Sequence, residues 1–402
     1  EISCSLVGSE MCIRDRINAL KTEKNQGNSL NGISQFKSVC ASLGTAMGTG
    51  NIIGVSAALS VGGPGAVFWM IISAFLGMAL VYSENYLSIF FRNRNTDSSF
   101  SGPMIYIEKG LGSRIIAVIF SVFCILASFG MGGMVQSNSI STSLEKCIYI
   151  NPVIIAVVIF ISVYCIVSGG IKRIGTAAQL IIPFVTAVYM LVSIIVIIMF
   201  KENLSDAVID IFSDAFNFKS AAGGTGGFAL SQAFSIGIRR GIFSNEAGLG
   251  SSPIMHGASA CCEPHQQGMW SVFEVFLDTV VCCTLTALVI LTSKAENYSV
   301  NKAFEHIFGS YSNVFILVCI SLFAFCTIIG WYYCGETAYR YVSKNRYVRI
   351  YTFMYSALTA IGAVLALEAV WTVSDIFNGL MTFPNLLALL LLSNFVKKHK
   401  HF

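Results

Sequence analysis

The chain has 402 residues, of which 55% are hydrophobic and 11% are charged, and its net charge is +4. A soluble domain carries about a quarter charged residues, so most of this surface is not meant for water. Apolar runs of roughly 20 residues, the length that crosses a hydrocarbon core of about 30 Å, recur along the whole chain. The composition therefore indicates a polytopic membrane protein. Nucleic-acid binding is excluded because the sequence has no dense basic patch interleaved with aromatic residues.

The first sixteen residues, 1–16, contain the string SLVGSEMCIRDR, which resembles translated sequencing-adapter sequence. A signal peptide is not predicted, because the apolar core of one would follow its positive residues. We interpret residues 1–16 as non-native and expect residues 17–36 to be a cytoplasmic N-terminal segment. On this interpretation the native N-terminus is missing.

Ten segments are predicted to span the membrane, in the order 37–60, 65–91, 115–140, 152–169, 176–200, 226–258, 267–292, 312–340, 347–367 and 371–396. The first and the sixth are rich in Gly, Ser and Thr and would form poor uniform helices. With the N-terminus placed in the cytoplasm, sixteen Lys and Arg residues fall inside and five outside. This asymmetry follows the positive-inside rule, and an odd number of spans would scramble it. We therefore expect ten spans with both termini in the cytoplasm.

Ten spans divide into two halves of five, and the second half would enter the membrane in the opposite orientation. We expect a first repeat over 37–200, an extracellular connection over 201–225, an inverted second repeat over 226–396 and a cytoplasmic tail over 397–402. Interrupted segments at corresponding positions of two inverted halves are typical of a transporter's binding site. The predicted fold class is an all-α polytopic membrane protein with its first and sixth spans broken.

The first of these spans contains the run GTAMGTGN at residues 44–51. Its glycines form GxxxG pairs that allow close helix packing in lipid. They would equally tolerate an unwound segment near mid-membrane, with free carbonyls for a sodium ion and amides facing a substrate carboxylate. Asn51 favours the unwound segment, because a buried amide needs partners and its carbonyl oxygen is a suitable ligand for a hard cation.

The sixth span carries Arg239, Arg240 and Glu246, and ionisable groups inside a membrane are costly and usually functional. These residues either lie near the interface, where long side chains snorkel to water, or belong to a second broken helix. In the second case we expect the three to form an ion-pair network that moves during gating. Glu84 in the second span is another candidate member of the coupling network.

Five strings resemble the alanine/glycine:cation symporter family, namely GTGNIIGVSAALSVGGPGAVFWM, SGPMIYIEKGLG, ASFGMGGMVQSNS, RRGIFSNEAGLGSSPI and FAFCTIIGWYYCGE. They cover positions 48 to 336 in the family's order. The family is similar in architecture to LeuT-type transporters, which have five-plus-five inverted repeats. It normally has a further helix before the GTGN span, and the lack of that helix here agrees with a missing N-terminus.

The resemblance implies roles for individual residues in binding the substrate. The carboxylate would be held by backbone groups of Ala46, Gly48, Thr49 and Gly50. Asn51 would orient the unwound segment or bind an ion, and Gln136 would supply a hydrogen bond, unless it is a polar residue of helix packing. The facing part of the pocket would be formed by Phe234, Ser235 and Gly237.

The resemblance also implies a sodium site between the first and eighth spans. Its ligands would be carbonyls of Gly44 and Met47 together with Thr327, and Cys326 and the Ala324 carbonyl are further candidates. The family usually has Ser where this chain has Cys326, and a thiol is a poor ligand for sodium. Either a carbonyl replaces the lost hydroxyl, or sodium affinity is reduced, or the ion is different.

The function implied is secondary active symport, without enzymatic activity, of sodium and a small neutral amino acid such as alanine or glycine. Sodium would be the co-transported ion, and the protein would act as a monomer in the bacterial inner membrane. A proton-coupled amino-acid transporter is the nearest alternative. A channel is disfavoured, because the polar positions concentrate at two segments and form no continuous ring of charges.

Overall fold

The computed structural model describes residues 32–92, 100–148, 150–216, 225–261, 263–365 and 367–398. Over these ranges the protein is helical, and its only β pairing is an isolated bridge between Ile33 and Ser259. The predicted all-α fold is therefore confirmed. The predicted non-native segment 1–16 and parts of the predicted terminal segments and extracellular connection lie outside the described residues.

The helices of the first half follow the order of the predicted spans. They are α1 (Gln35–Ala46), α2 (Ile53–Gly62), α3 (Gly65–Phe91), α4 (Pro103–Gly110), α5 (Arg114–Ala127), a π-helical turn (Ser128–Met134), α6 (Val135–Glu145), α7 (Pro152–Val167), α8 (Gly170–Met199) and α9 (Leu204–Ala215).

The second half repeats this alternation of long helices and short connections. Its helices are α10 (Thr225–Asn245), α11 (Ser251–Gly257), α12 (Pro264–Val275), a π-helical segment (Phe276–Cys283), α13 (Thr284–Thr292), α14 (Val300–Phe308), α15 (Ser312–Ser343), α16 (Val348–Gly362) and α17 (Leu367–Lys398).

Several of these helices are long and apolar enough to cross a membrane. Six helical stretches qualify among the described residues, namely Gly65–Phe91, Arg114–Glu145, Gly170–Met199, Pro264–Thr292, Val300–Ser343 and Ser374–Lys398. The apolar helices α2 and α7 are shorter. These stretches agree with a multi-pass membrane protein, while the count of ten spans and the inverted repeat stay predictions.

The burial pattern suits a lipid environment, because large apolar side chains cover the outside. Leu180 is 77% exposed and Leu390 is 74% exposed, whereas Asn51, Gln136 and Asp278 are almost completely buried. A polar group buried in a membrane protein must find internal partners or line a functional cavity. The interior polar residues therefore direct attention to the centre of the bundle.

The first span is broken between α1 and α2. Helix α1 ends when the Met47 amide bonds to the Leu43 carbonyl at 2.7 Å, and Gly48 then has an extended backbone with φ −110° and ψ −145°. A single 3-10 turn, Thr49–Asn51, leads into α2. The unwound segment predicted from the glycine run is therefore present. At the far end of α2, Gly63 adopts φ +72°, a left-handed backbone that glycine takes without steric penalty.

The sixth span is also broken, at residues 246–250. Glu246, Gly248 and Gly250 have φ values of 54°, 83° and 90°, and α11 begins directly afterwards at Ser251. Two of the three are glycines, for which a left-handed backbone carries no steric penalty. Gly237, which was expected to line the pocket, lies within the continuous helix α10 instead. A single glycine costs a helix only about 1 kcal/mol, which the packing of a long helix overcomes.

Candidate functional site

Thr327 joins the middle of α15 to the last turn of α1. Its hydroxyl lies 2.9 Å from the Gly44 carbonyl oxygen and 3.2 Å from the Phe323 carbonyl oxygen, and it can donate to either. Close packing supports this contact, because a Cβ added to Gly44 would lie 3.3 Å from the Cβ of Cys326. The structure therefore brings Gly44, Cys326 and Thr327 together, as the resemblance implied.

The two other residues expected near sodium lie on the same two elements. Met47 is the C-cap of α1, and its fully buried sulfur accepts from the Thr186 hydroxyl at 3.6 Å. Ala324 is fully buried on α15, one turn before Thr327. Both residues are thus close in the chain to the Gly44–Thr327 contact.

Gln136 on α6 reaches the unwound segment of the first span. Its Oε1 accepts from the Thr49 backbone amide at 3.3 Å, and its Nε2 donates to the Met131 carbonyl at 3.3 Å. A Cβ added to Gly48 would lie 2.8 Å from Thr327 Oγ1 and 3.1 Å from Gln136 Oε1. The bare Gly48 backbone is therefore enclosed between α6 and α15. This arrangement unites five predicted site residues, namely Gly44, Gly48, Thr49, Gln136 and Thr327.

Asn51 is held by a carboxylate that the sequence analysis missed. Its Nδ2 donates to Asp278 Oδ1 at 2.7 Å and to the Asp278 carbonyl at 3.1 Å. The hydroxyls of Ser244 and Thr279 each donate to Asp278 Oδ2 at 2.8 Å. All four side chains are fully buried. A sequence signal existed, because an acidic residue inside an apolar span is a functional candidate.

Glu246 fastens the second unwound segment to α15. Its Oε1 accepts from Trp331 Nε1 at 2.8 Å, and its Oε2 accepts from the Ser251 hydroxyl. Trp331 is fully buried in the middle of α15.

The two arginines of the predicted gating network lie elsewhere on α10. The guanidinium of Arg240 lies 4.8 Å from the ring centroid of Trp371, whose ring also stacks on Phe243 at 5.0 Å. Arg239 is exposed. In the described part of the chain, the contacts of Glu246 do not include either arginine. The structure therefore does not assemble the three residues into one ion-pair network.

The predicted facing wall also lies away from Gly48. Phe234 is 47% exposed and packs edge-on against Trp69 with 4.9 Å between ring centroids. Ser235 is exposed, and Gly237 packs against Ala66 of α3. Residues nearer the second break approach the first break instead, since a Cβ added to Gly50 would lie 3.4 Å from the Phe243 ring.

Glu84 has a partner that connects it to the second unwound segment. The fully buried Glu84 accepts from the Asn385 side-chain amide on α17, which also donates to the Gly248 carbonyl at 2.9 Å. The Tyr106 hydroxyl of α4 donates to the other end of the same amide. Glu84 therefore braces α3, α4 and α17 around the second break.

A cavity of about 530 Å³ leads from the surface toward the first break. Its lining includes Ile52, which follows the unwound segment, and Ser139, three residues after Gln136. The same cavity reaches Lys146 and Asn301 at its outer part. The cavity gives a small solute room to approach the first broken span. The described residues contain no cluster of three or more His, Cys, Asp or Glu side chains placed to hold a metal ion.

A helical bundle with two interrupted helices and buried polar groups at both breaks defines a class, the LeuT-type membrane transporters. The solved structure of MhsT in complex with L-phenylalanine has this fold and aligns with a TM-score of 0.65 at 14% identity, covering 89% of each chain. The sequence profile of the sodium:alanine symporter family matches residues 10–401. The chain belongs to this family and is a transporter, not an enzyme.

Two relatives illustrate the family's range. An uncharacterised transporter of Haemophilus influenzae is 40% identical over 368 residues, which is 89% of this chain and 81% of that protein. The sodium/alanine symporter AgcS of Methanococcus maripaludis is 36% identical over 392 residues, which is 94% of this chain and 86% of that protein. The resemblance found in the sequence motifs is therefore confirmed.

Proposed function

We propose that the protein couples inward sodium flow to the uptake of a small neutral amino acid, alanine or glycine, by alternating access. The observation that carries this proposal is the enclosure of the Gly48 backbone between Thr327 and Gln136 at the first break. The relative AgcS, which is named a sodium/alanine symporter, supports the same ion and substrate.

Sodium is proposed to bind between α1 and α15. The Gly44 carbonyl and the Thr327 hydroxyl present two oxygens 2.9 Å apart, and hard cations prefer oxygen ligands. When the ion binds, the Thr327 hydroxyl proton turns away from the Gly44 carbonyl and both oxygens face the ion. Met47 and Ala324 supply further carbonyls from the same two elements. The thiol of Cys326 leaves the site with one hydroxyl fewer than the family usually has.

The substrate carboxylate is proposed to bind at the amides of the first break. Amide N–H groups at the start of a helix carry partial positive charge, and no basic side chain is required to hold an anion there. The Gly48 amide donates to the Ala46 carbonyl at 2.8 Å, a bond that the substrate carboxylate would replace. Gln136 fixes the Thr49 amide and thereby the direction of the neighbouring amides of Gly48 and Gly50. The surroundings of Gly48 are so close that even a methyl group there would lie 2.8 Å from Thr327 Oγ1, which favours a substrate with a small side chain.

Alternating access is proposed to use the two breaks as hinges. Asp278 holds Asn51 at the first break and Ser244 before the second, so one carboxylate connects both. The membrane potential adds about 2.3 kcal/mol per charge per 100 mV to the driving force. The charge asymmetry of the loops supports insertion with both termini in the cytoplasm. We propose that the protein acts in a bacterial inner membrane as a monomer.

Replacing Thr327 tests this proposal. Thr327→Ala removes the proposed sodium ligand. Thr337→Ala is a matched control, because Thr337 lies on the same helix and its hydroxyl donates to the Tyr333 carbonyl of that helix. Hydrogen bonds and ligand contacts to charged groups contribute about 1.5–3 kcal/mol, so the sodium concentration for half-maximal alanine uptake should rise by at least about tenfold. The Thr337→Ala value should stay at the wild-type level.

Two results would contradict parts of the proposal. Equal sodium dependence of uptake in the Thr327→Ala and Thr337→Ala variants would show that sodium does not bind at the Gly44–Thr327 contact. Unchanged alanine uptake after replacement of external sodium by choline would show that the coupling ion is different, and dependence on a pH gradient would then identify the proton.

A further inference from the structure

A chain of buried polar side chains runs through the interior from α1 to α12. Gln35 Nε2 donates to Gln267 Oε1 at 3.2 Å, and Gln267 Nε2 donates to His256 Nδ1. His256 Nε2 then lies 3.0 Å from Glu274 Oε2. Because Nδ1 accepts from Gln267, Nε2 carries the proton and donates to the carboxylate. The hydrogen bonds of this chain are therefore oriented so that His256 donates to Glu274.

The two oxygens of Glu274 have different surroundings. Oε2 accepts from His256 and, at 2.8 Å, from the Ser42 hydroxyl. Glu274 is only 5% exposed, and its Oε1 has no hydrogen-bond partner among the described residues. A buried acceptor without a partner costs about 1–3 kcal/mol, and more when it is charged. The network therefore leaves one carboxylate oxygen available to a hydrogen-bond donor or a cation.

This oxygen belongs to a residue that lines a small enclosed cavity. The cavity has a volume of about 10 Å³, and its lining includes Ser42, Thr45, Ser252 and Glu274. A space of roughly 10–15 Å³ holds one water-sized particle. The Ser42 and Ser252 hydroxyls lie 3.4 Å apart on α1 and α11. A single particle in this space contacts both half-helices that adjoin the two breaks.

The charges around the cavity favour a cation. Glu246 and Asp278 also line it, and the lining contains no lysine or arginine among the described residues. Asp278 and the Cys40 thiol of α1 are further electrostatic neighbours of Glu274, and His256 faces it from α11. Helix α3 contributes the uncharged residue Val81 to the lining of the cavity. The hydroxyl oxygens of Ser42 and Ser252 and the carboxylate oxygen of Glu274 suit a hard monovalent ion.

We propose that Glu274 Oε1, with the hydroxyls of Ser42 and Ser252, binds a second monovalent cation, either sodium or a proton carried as hydronium. This site is separate from the Gly44–Thr327 contact, and Glu274 lies one helical turn before Asp278. A cation there joins α1, α11 and α12, and its release loosens the half-helices on one side of both breaks. That this cation is transported together with the amino acid rests on the proposed function.

The number of cations moved with each alanine tests the site. Wild-type protein and Glu274→Gln are reconstituted in proteoliposomes at zero voltage, and the alanine ratio at which net flux stops is measured. Gln keeps an oxygen for Ser42 and His256 and replaces the unpaired oxygen with an amide that cannot bind a cation. Glu305→Gln is the control, because Glu305 is exposed and pairs with Lys302 at 3.0 Å.

If the second cation is sodium, doubling the sodium gradient shifts the balancing alanine ratio about fourfold in the wild type and about twofold in Glu274→Gln, by mass action. If it is a proton, the sodium response is about twofold in both proteins. Doubling the proton gradient then shifts the wild type about twofold and leaves Glu274→Gln unchanged. Equal responses of Glu274→Gln and wild type to both gradients would overturn the proposal. A wild-type response that corresponds to one cation in total would also overturn the proposal. That measurement uses the wild-type protein alone and does not depend on the folding of a variant.

A binding measurement separates failure of this site from failure of the proposed function. Purified Thr327→Ala retains the Glu274 site, so sodium or acid at constant ionic strength should still raise its Tm. Adding Glu274→Gln should abolish that rise. A rise in Tm that persists in the double variant would overturn the proposed cation site at Glu274. Absence of alanine transport by the wild-type protein would refute the proposed function alone.

Discussion

Replacing Gly48 with alanine adds one methyl group at the most crowded point of the first break. The new Cβ would lie 2.8 Å from Thr327 Oγ1 and 3.1 Å from Gln136 Oε1. Neither neighbour is free to move, because Thr327 bonds Gly44 and Gln136 bonds Thr49. Overpacking of this kind costs about 1–3 kcal/mol. If the cost falls on the binding-competent arrangement, affinity drops by roughly 5- to 150-fold.

The matched control is Gly54→Ala, because Gly54 lies in the same span. A Cβ added there would have no neighbouring atom within 4 Å among the described residues. Alanine in a helix interior is more favourable than glycine by about 1 kcal/mol, so this variant should fold at least as well as the wild type. Concentration dependences of sodium and alanine uptake are measured in proteoliposomes, together with Tm. Gly48→Ala should raise both half-saturation values and Gly54→Ala neither. Identical uptake parameters for the two variants would refute the argument that the Gly48 backbone lines the site.

Two further variants test contacts at the second break and at the sodium site. Trp331→Phe removes the donor to Glu246 Oε1 and should lower the alanine uptake rate by about tenfold, since an unpaired buried carboxylate oxygen costs at least about 1 kcal/mol. Trp69→Phe, which loses an Nε1 without a partner, should keep the wild-type rate, and equal rates for both variants would contradict the role of Trp331. Cys326→Ser restores an oxygen next to Gly44 and should lower the half-saturating sodium concentration severalfold. An unchanged sodium dependence of uptake in Cys326→Ser would show that residue 326 does not contact the ion.

The predictable part of the structure is the part that local sequence dictates. Membrane embedding follows from the charged fraction alone, and the first break follows from a run in which Gly48 and Gly50 lie among small residues. A second break was expected in the span 226–258, but the residues expected to line the pocket, Phe234 to Gly237, lie before it. Gly237 remains helical, and the glycines that adopt left-handed backbone are Gly248 and Gly250.

The missed part of the candidate site depends on contacts between distant segments. Asp278 meets Asn51 across 227 positions of sequence, and Trp331 meets Glu246 across 85. Glu246 was expected to pair with Arg239 and Arg240, which are its neighbours in the chain. Glu246, however, comes after α10 has ended, at a residue with φ 54°, and its carboxylate contacts α15 instead. The acidic positions in the seventh predicted span are visible in sequence, whereas their partners appear only when the helices pack.

The most direct test of the central claim is whether a sodium gradient alone drives alanine uphill. Proteoliposomes containing the wild-type protein are given an inward sodium gradient, with pH and alanine equal on both sides, and internal radiolabelled alanine is followed over time. We predict transient accumulation above the external concentration, which collapses when the sodium gradient is dissipated. Equilibration of alanine without accumulation, or the same uptake with choline in place of sodium, would contradict sodium-coupled symport.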